Sequence, residues 1–421
     1  MKTAGAAGSF EAVEAPWDLA APPEGFFDDP YPFYRTLSAA GRIARTIDGA
    51  LLVSRHADVA AVYRDTAAFS SDKRAEFAPK FGPSPLFEHH TTSLVFNDDP
   101  YHGRVRRKLT GALSPRAVAD LGATLDQFCA GLAAGVAERG ACDAIGDFAG
   151  AVPVRVIGDM FDVPEADRAP LRGWSLAILK ALEPAPDDRI LQDGNRAIRD
   201  FSAFLEALIA TRRRHPGDPE RDLLTRLIAE DTASTALTGS ELVHNAIFLL
   251  NAGHETTTNL IGNALHLLAC DAALRQSLAA NPALVPAFVE ETLRYESPNQ
   301  LGNRRATRAA TIGGIMVPAG TAITLLIGAA NRDPSVFEAP DQFRLDRKPN
   351  RHLAFGSGAH QCVGLSLARL EGTAAIRAWL RHIPEFSLTS PARWQRRMRF
   401  RGLDRLPIAF DASRPALSDA H

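Results

Sequence analysis

Cysteine is scarce in this chain. Its 421 residues hold four, Cys129, Cys142, Cys270 and Cys362, too few and too scattered for a disulfide framework or a zinc site built on paired cysteines. Each must be judged by its own neighbourhood. No run approaches the roughly 18 consecutive apolar residues of a membrane span. The stretch from Met1 to Ala21 lacks the basic-then-apolar order of a signal peptide, so the expected location is cytoplasmic. Neither sign of charge is in excess: Lys plus Arg is 47, Asp plus Glu is 49, and the formal net charge is −2. That balance gives no reason to expect a nucleic-acid partner. Internal repeats are missing, and so is low complexity beyond the first twenty or so residues.

What is present is ordinary globular material, 46% hydrophobic and 23% charged, enough for a large core. Residues 1–22, rich in Ala, Gly, Glu and Pro, read as a loose, flexible N-terminal arm, and residues 23–421 as a single domain. A β-prone passage from Arg42 to Ser54 precedes a helix opened by His56. Between Glu76 and Asn97, Pro79, Gly82, Pro83 and Pro85 predict a long, partly irregular loop, the kind that often serves as a lid or binding loop. From Pro115 to Ala229 a 3.6-residue pattern recurs between breaks at Val152-Pro153, Glu183-Pro-Ala-Pro and His215-Pro-Gly-Asp-Pro. Thr238-Gly-Ser-Glu241 has capping-box spacing and opens a helix to about Cys270, on the order of 45 Å long. Its middle, Ala246 to Ala252, is apolar on nearly every side, which implies burial through the centre of the protein. Asn281-Pro282 caps a further helix that ends near Ser297-Pro298. Ala309 to Ile327 reads as short strands and turns. The expectation is a mainly α fold with a small β-rich region, α+β in class.

The most informative stretch is Phe355-Gly-Ser-Gly-Ala-His-Gln-Cys362-Val-Gly364, followed by a helical pattern from Leu365. Glycines at this density require unusual backbone angles or a close approach. A cysteine at such a loop-to-helix junction sits near backbone N–H groups and the positive end of the helix dipole, which stabilise a thiolate. On the residues alone two readings stay open, a packed structural cysteine in a glycine-rich turn and a thiolate ligand. Phe355, Gly356, Gly358, His360, Cys362 and Gly364 resemble, position by position, the haem-binding signature of the cytochrome P450 superfamily. Leu367-Ala-Arg-Leu-Glu371 looks like its soluble bacterial members. The resemblance implies a P450-like fold with haem b (iron protoporphyrin IX) between the long central helix and the cysteine loop, and Cys362 as the metal ligand. The activity it implies is that of a haem-thiolate monooxygenase.

The resemblance recurs along almost the whole chain. Glu291-Thr-Leu-Arg294 is similar to the family's Glu-x-x-Arg, whose side chains share a helix face. With a downstream arginine, for which Arg347 is the candidate, it implies a structural lock on the cysteine loop. Ala252-Gly253-His254-Glu255-Thr256-Thr257 is similar to the family's Ala-Gly-x-Asp/Glu-Thr-Thr. There the glycine makes room for dioxygen and the acid–alcohol pair, here Glu255 and Thr256, relays protons in general acid work. Gly253 weakens the helix and Thr256 can bond back one turn, so a local distortion is expected. His102 and Arg106 lie on one helical face and match the family's His-x-x-x-Arg. With Arg304 and His360 they imply a cation set for the haem propionates, although Arg305, next to Arg304, allows a one-residue slip.

Family geometry implies a substrate pocket lined by Phe87, Leu94, Val95, Phe248, Asn251, Asn299 and Leu301, with Phe81, Leu86, Gly253 and a turn at Gly402-Leu403 nearby. The expected substrate is a mid-sized, mostly apolar organic molecule, hydroxylated or oxidatively dealkylated. Electrons would come from a ferredoxin and an NAD(P)H-dependent ferredoxin reductase. Arg107, Lys108, Arg351 and Arg369 could meet an acidic ferredoxin, or be simple solubility charges. Peroxide-driven haem-thiolate oxidation and a non-catalytic haem sensor are the alternatives.

Overall fold

The computed structural model describes residues 12–229, 236–413 and 416–417. Its spine is the helix Gly239–Cys270, opened by the expected capping box. The Glu241 amide donates to Thr238 Oγ1 (3.2 Å) and the Thr238 amide to Glu241 Oε2 (2.8 Å). Arg104 closes on the same carboxylate and ties the preceding loop down. Of the 32 residues in this helix 21 are buried, so it crosses the core rather than lying on it. The helices Ala151–Met160, Leu171–Lys180, Asp188–Arg214, Val285–Tyr295 and Leu365–His382 pack around it.

The largest sheet packs its own apolar cluster, and smaller sheets lie against the helices. Six short strands are ordered Val13–Glu14, Ile43–Arg45, Leu51–Val53, Ala322–Leu326, Leu301–Ala306 and Phe69–Ser70. The strand Leu301–Ala306 runs antiparallel to Ala322–Leu326 with Arg304 opposite Ile323. Because side chains alternate along a strand, Arg304 and Arg305 face opposite ways. The hairpin Ala310–Ile312 with Ile315–Val317 fills the expected β-rich region.

Three expectations are corrected. Residues 76–97 are mostly helical: Arg74–Phe81, Pro85–Thr92 and a 3-10 turn at Leu94–Phe96. Pro85 sits in the first helical turn, where its missing N–H costs nothing, and Ser84 caps it by accepting from the Phe87 amide (3.3 Å). Val152-Pro153 is likewise no break, since Pro153 lies in the first turn of Ala151–Met160. The arm is shorter than expected. Residues 1–11 lie outside the described residues, but Val13–Glu14 pairs with Ile43–Arg45, and the Trp17 ring lies 5.1 Å from that of Phe26. Val13 and Trp17 have apolar surface to bury, and the sheet edge offers the place.

Candidate active site

The cysteine loop is built by its glycines. Gly356 and Gly358 have φ of +66° and +72°, and a Cβ on Gly358 would lie 2.8 Å from the Tyr63 carbonyl oxygen. Only glycine meets both demands. The Cys362 amide donates to the Phe355 carbonyl (2.9 Å), and Gly364 precedes the helix Leu365–His382. Cys362 is therefore held two residues before the N-cap, Gly364. Its sulfur is enclosed by the protein yet accessible from an internal cavity that it lines. Burial pushes the thiol pKa up, while the Gly364 N–H, Arg106 and Arg369 pull it back. Arg106 also donates to the Gln361 carbonyl (2.7 Å), fixing the loop from the helix Tyr101–Ala112. Phe355 lies under the Arg369 guanidinium, 4.8 Å from the ring centre.

The cavity, of about 350 Å³, lies between this loop and the central helix. Across from Cys362 it is lined by Gly253 and Thr256. A Cβ on Gly253 would come within 3.1 Å of the Ile157 side chain, so a larger residue there would crowd the wall. The Thr256 hydroxyl donates to the Ala252 carbonyl (2.8 Å). That bond back forms as expected, but the helix continues without interruption through it. Glu255 does not line the cavity. It is 2% exposed and paired with Arg397 (2.7 Å), which also reaches Glu183 (3.4 Å). The expected acid and alcohol are neighbours in sequence, but only the alcohol faces the cavity. A helix turns about 100° per residue, which explains the separation.

Four expected cationic groups converge at one end of the cavity. The His102 and His360 rings stack at 3.8 Å, and Arg106, Arg304 and both histidines line the wall. Arg304 donates to the Asn303 carbonyl (2.8 Å), yet its Nε and Nη2 are buried without a partner. Arg305 instead reaches the Gly320 carbonyl and Glu76, away from the cavity, so Arg304 is the one that fits. Burial lowers the pKa of both histidines, and the neighbouring arginines lower it further. A cluster with unpartnered buried donors and mutually repelling cations is completed by anions. The residues thus fit haem: a sulfur donor on one wall, apolar faces, and a cationic end for two propionates.

The expected lock also assembles. Arg294 donates to both oxygens of Glu291 (2.7 and 2.9 Å), Arg347 to the same carboxylate (3.1 and 3.2 Å), and all three side chains are buried. Asn331, which receives Arg294 at its carbonyl, accepts the Leu353 amide through its side chain (2.7 Å), two residues before the loop.

Of the expected substrate residues, Leu94, Val95, Phe248, Asn251, Asn299 and Leu301 line the cavity. Phe87 does not; it packs against the core. Phe81, Leu86, Gly402 and Leu403 also lie outside the lining. Asn251 Oδ1 is buried and unpartnered. Lys108 is buried and so withdrawn from any docking face, and Arg369 is engaged by Glu290. Sequence reasoning missed His89, His90 and Arg399 in the wall. The run Arg397-Met-Arg-Phe-Arg401 looks like surface charge, and only its placement beside Pro298–Gln300 turns it inward.

The comparisons agree with this geometry. The family model described as Cytochrome P450 matches residues 179–393. The biotin biosynthesis cytochrome P450 of Bacillus subtilis (strain 168) is 34% identical over 92% of this chain and 97% of its own length. The vitamin D(3) 25-hydroxylase of Pseudonocardia autotrophica is 32% identical over 91% of this chain and 94% of its own. Among solved structures, P450BioI in complex with an acyl carrier protein ligated to hexadec-9Z-enoic acid superposes with a TM-score of 0.87. It is 34% identical, over 92% of this chain and 100% of that one.

Proposed function

Because this chain belongs to the cytochrome P450 family and is thus a haem-dependent monooxygenase, we propose that it inserts one atom of dioxygen into a mid-sized, mostly apolar organic molecule. In this reading Cys362 is the iron ligand and Thr256 the residue that handles protons. The cofactor is haem b, and its thiolate ligation supplies the electron push that favours O–O cleavage.

The chain's own residues do the rest. The Gly364 N–H and the helix start stabilise negative charge on Cys362 Sγ. His102, Arg106, Arg304 and His360 hold the propionates by charge-assisted hydrogen bonds. Gly253 keeps the helix wall thin where dioxygen must fit. Thr256 spends its hydroxyl proton on the Ala252 carbonyl. Its oxygen lone pairs are then free to hold a proton-donating water at one point of the cavity. Glu255 stands one residue away as the proton source and must exchange Arg397 for that water to act. Leu94, Phe248 and Leu301 offer apolar contact to the substrate, and Asn251 offers an acceptor.

Electrons come, in this proposal, from a separate ferredoxin and an NAD(P)H-dependent reductase in the cytoplasm. The exposed Arg107 and Arg351 support a complementary docking face. Among the described residues no helix is long and apolar enough to cross a membrane. The observation that carries the proposal is that the Cys362 thiol and the Thr256 hydroxyl face one cavity from two separate elements. The test is turnover under isotopically labelled dioxygen, with a surrogate ferredoxin pair and a compound selected by its low-to-high-spin shift. One labelled oxygen in the product is expected. Equal product from peroxide alone, with no need of reductant, would instead favour the peroxide-driven reaction.

A further inference from the structure

The cavity has a second polar region besides the propionate set. Arg399 lines it and is otherwise surrounded by protein. One guanidinium N–H goes to Asn303 Oδ1 and another, at 3.4 Å, to the Leu301 carbonyl. Nε is buried with no partner, and among the described residues no carboxylate lies within ion-pair distance of this arginine. Glu183 and Glu76 are the acids that act on it, but neither carboxylate bonds its guanidinium. Glu183 accepts the Met398 and Arg399 amides and the Arg397 side chain. Glu76 holds Lys73 and Arg305.

The same region holds further buried donors without partners. His90, also in the wall, has a buried Nε2 without a partner, and His89 beside it a buried Nδ1 without one. Burial keeps both imidazoles neutral, with the His90 pKa lowered to about 3, so each is available as a donor. Lys80 donates to the Glu183 carbonyl (2.6 Å) from behind, its pKa lowered to about 8 chiefly by burial. A buried guanidinium with no anion beside it is costly, and a planar carboxylate is the group that matches its fork.

Resting on the monooxygenase reading above, we infer that the molecule oxidised by this enzyme carries a carboxylate, which Arg399 receives with His90 beside it. The apolar walls then take a hydrocarbon body. Substrate recognition is thus polarised, with one charged end fixed and the rest held by shape.

The test titrates the ferric holoenzyme with matched pairs, dodecanoic acid against methyl dodecanoate and retinoic acid against methyl retinoate, following the spin shift. In at least one pair the acid should bind roughly tenfold to a hundredfold more tightly, as a charge-assisted hydrogen bond warrants. Arg399→Gln should abolish that preference while leaving ester affinity and haem content near wild type, and Arg399→Lys should restore part of it. Esters binding as well as acids, acids failing to bind, or a preference that survives Arg399→Gln would each overturn the inference. So would haem loss in Arg399→Gln with Arg399→Lys restoring it, because Arg399 would then serve the propionates. Failure of the underlying reading is separate. It would show as a missing thiolate signature in the reduced carbon monoxide spectrum of the wild type before any ligand is added.

Discussion

Replacing Glu291 by Gln removes one charge and almost no volume from the most deeply buried ionic network near the site. The carboxylate side chain is 1% exposed and those of Arg294 and Arg347 are 0% and 6% exposed. One carboxylate thus neutralises two guanidinium groups, and it also accepts the Arg344 amide (3.0 Å) and Asn350 Nδ2 (3.1 Å). In the variant two buried cations keep their carbonyl partners but lose their counter-charge, and an amide NH2 must face guanidinium donors. Breaking a buried pair in this way costs about 3–5 kcal/mol, a large share of the roughly 5–15 kcal/mol that holds a folded protein. With an unfolding entropy of about 2.1 cal/mol/K per residue, a chain of this size should melt about 3–6 °C lower. Haem should also be held less firmly, since Arg294 reaches the cysteine loop through Asn331. The control is Arg393→Gln, whose partner Asp404 lies 3.3 Å away with both side chains substantially exposed. That change should cost less than about 1 kcal/mol. The assay is thermal denaturation by circular dichroism, with haem content from the absorbance ratio. A Glu291→Gln protein that melts and retains haem like the Arg393→Gln control would refute the reasoning.

Three further outcomes are expected. Thr256→Ala should let reduced nicotinamide be consumed while product per reducing equivalent falls several-fold, because no hydroxyl then holds the proton-donating water; unchanged coupling in a product assay would count against that role. Arg304→Gln should lower haem content after purification and Arg305→Gln should not, since of these two arginines Arg304 alone lines the cavity; equal retention would remove Arg304 from the propionate set. The Glu290 carboxyl pKa is held down to about 2 by hydrogen bonds from His352 and Arg369, against the opposing effect of burial. Its folded pKa lies below the unfolded value of 4.5, so its contribution to stability is present above pH 4.5 and is lost as pH falls towards about 2. The difference in melting temperature between wild type and Glu290→Gln should shrink over that window, and a constant difference would contradict the assignment.

Patterns contained in a few consecutive residues were legible. The capping box at Thr238–Glu241 fixed the start of the central helix to the residue, and the glycines before Cys362 announced unusual backbone angles, met by positive φ at Gly356 and Gly358. Glu291 and Arg294, three apart on a helix, were bound to share a face. What needed long-range placement was not legible. The prolines at 79, 83 and 85 read as loop formers, yet Pro85 opens one helix and Pro79 lies inside another. Arg399 sits in an arginine-rich stretch that reads as surface, and turns inward only because the segment lies against Pro298–Gln300. Glu255 and Thr256 are adjacent, but which of the two meets the cavity depends on the rotation of the central helix, set by its packing on the helices around it. Phe87 has the chemistry of a cavity wall, and the short helix Pro85–Thr92 sets it, partly buried, against the core instead.

The central claim is that the Cys362 thiolate holds the haem iron, and the most direct measurement is optical. Reduced, freshly purified protein treated with carbon monoxide should give the strongly red-shifted Soret band of thiolate ligation, and Cys362→Ser should lose it. A wild-type band at the unshifted position typical of histidine ligation would contradict the account.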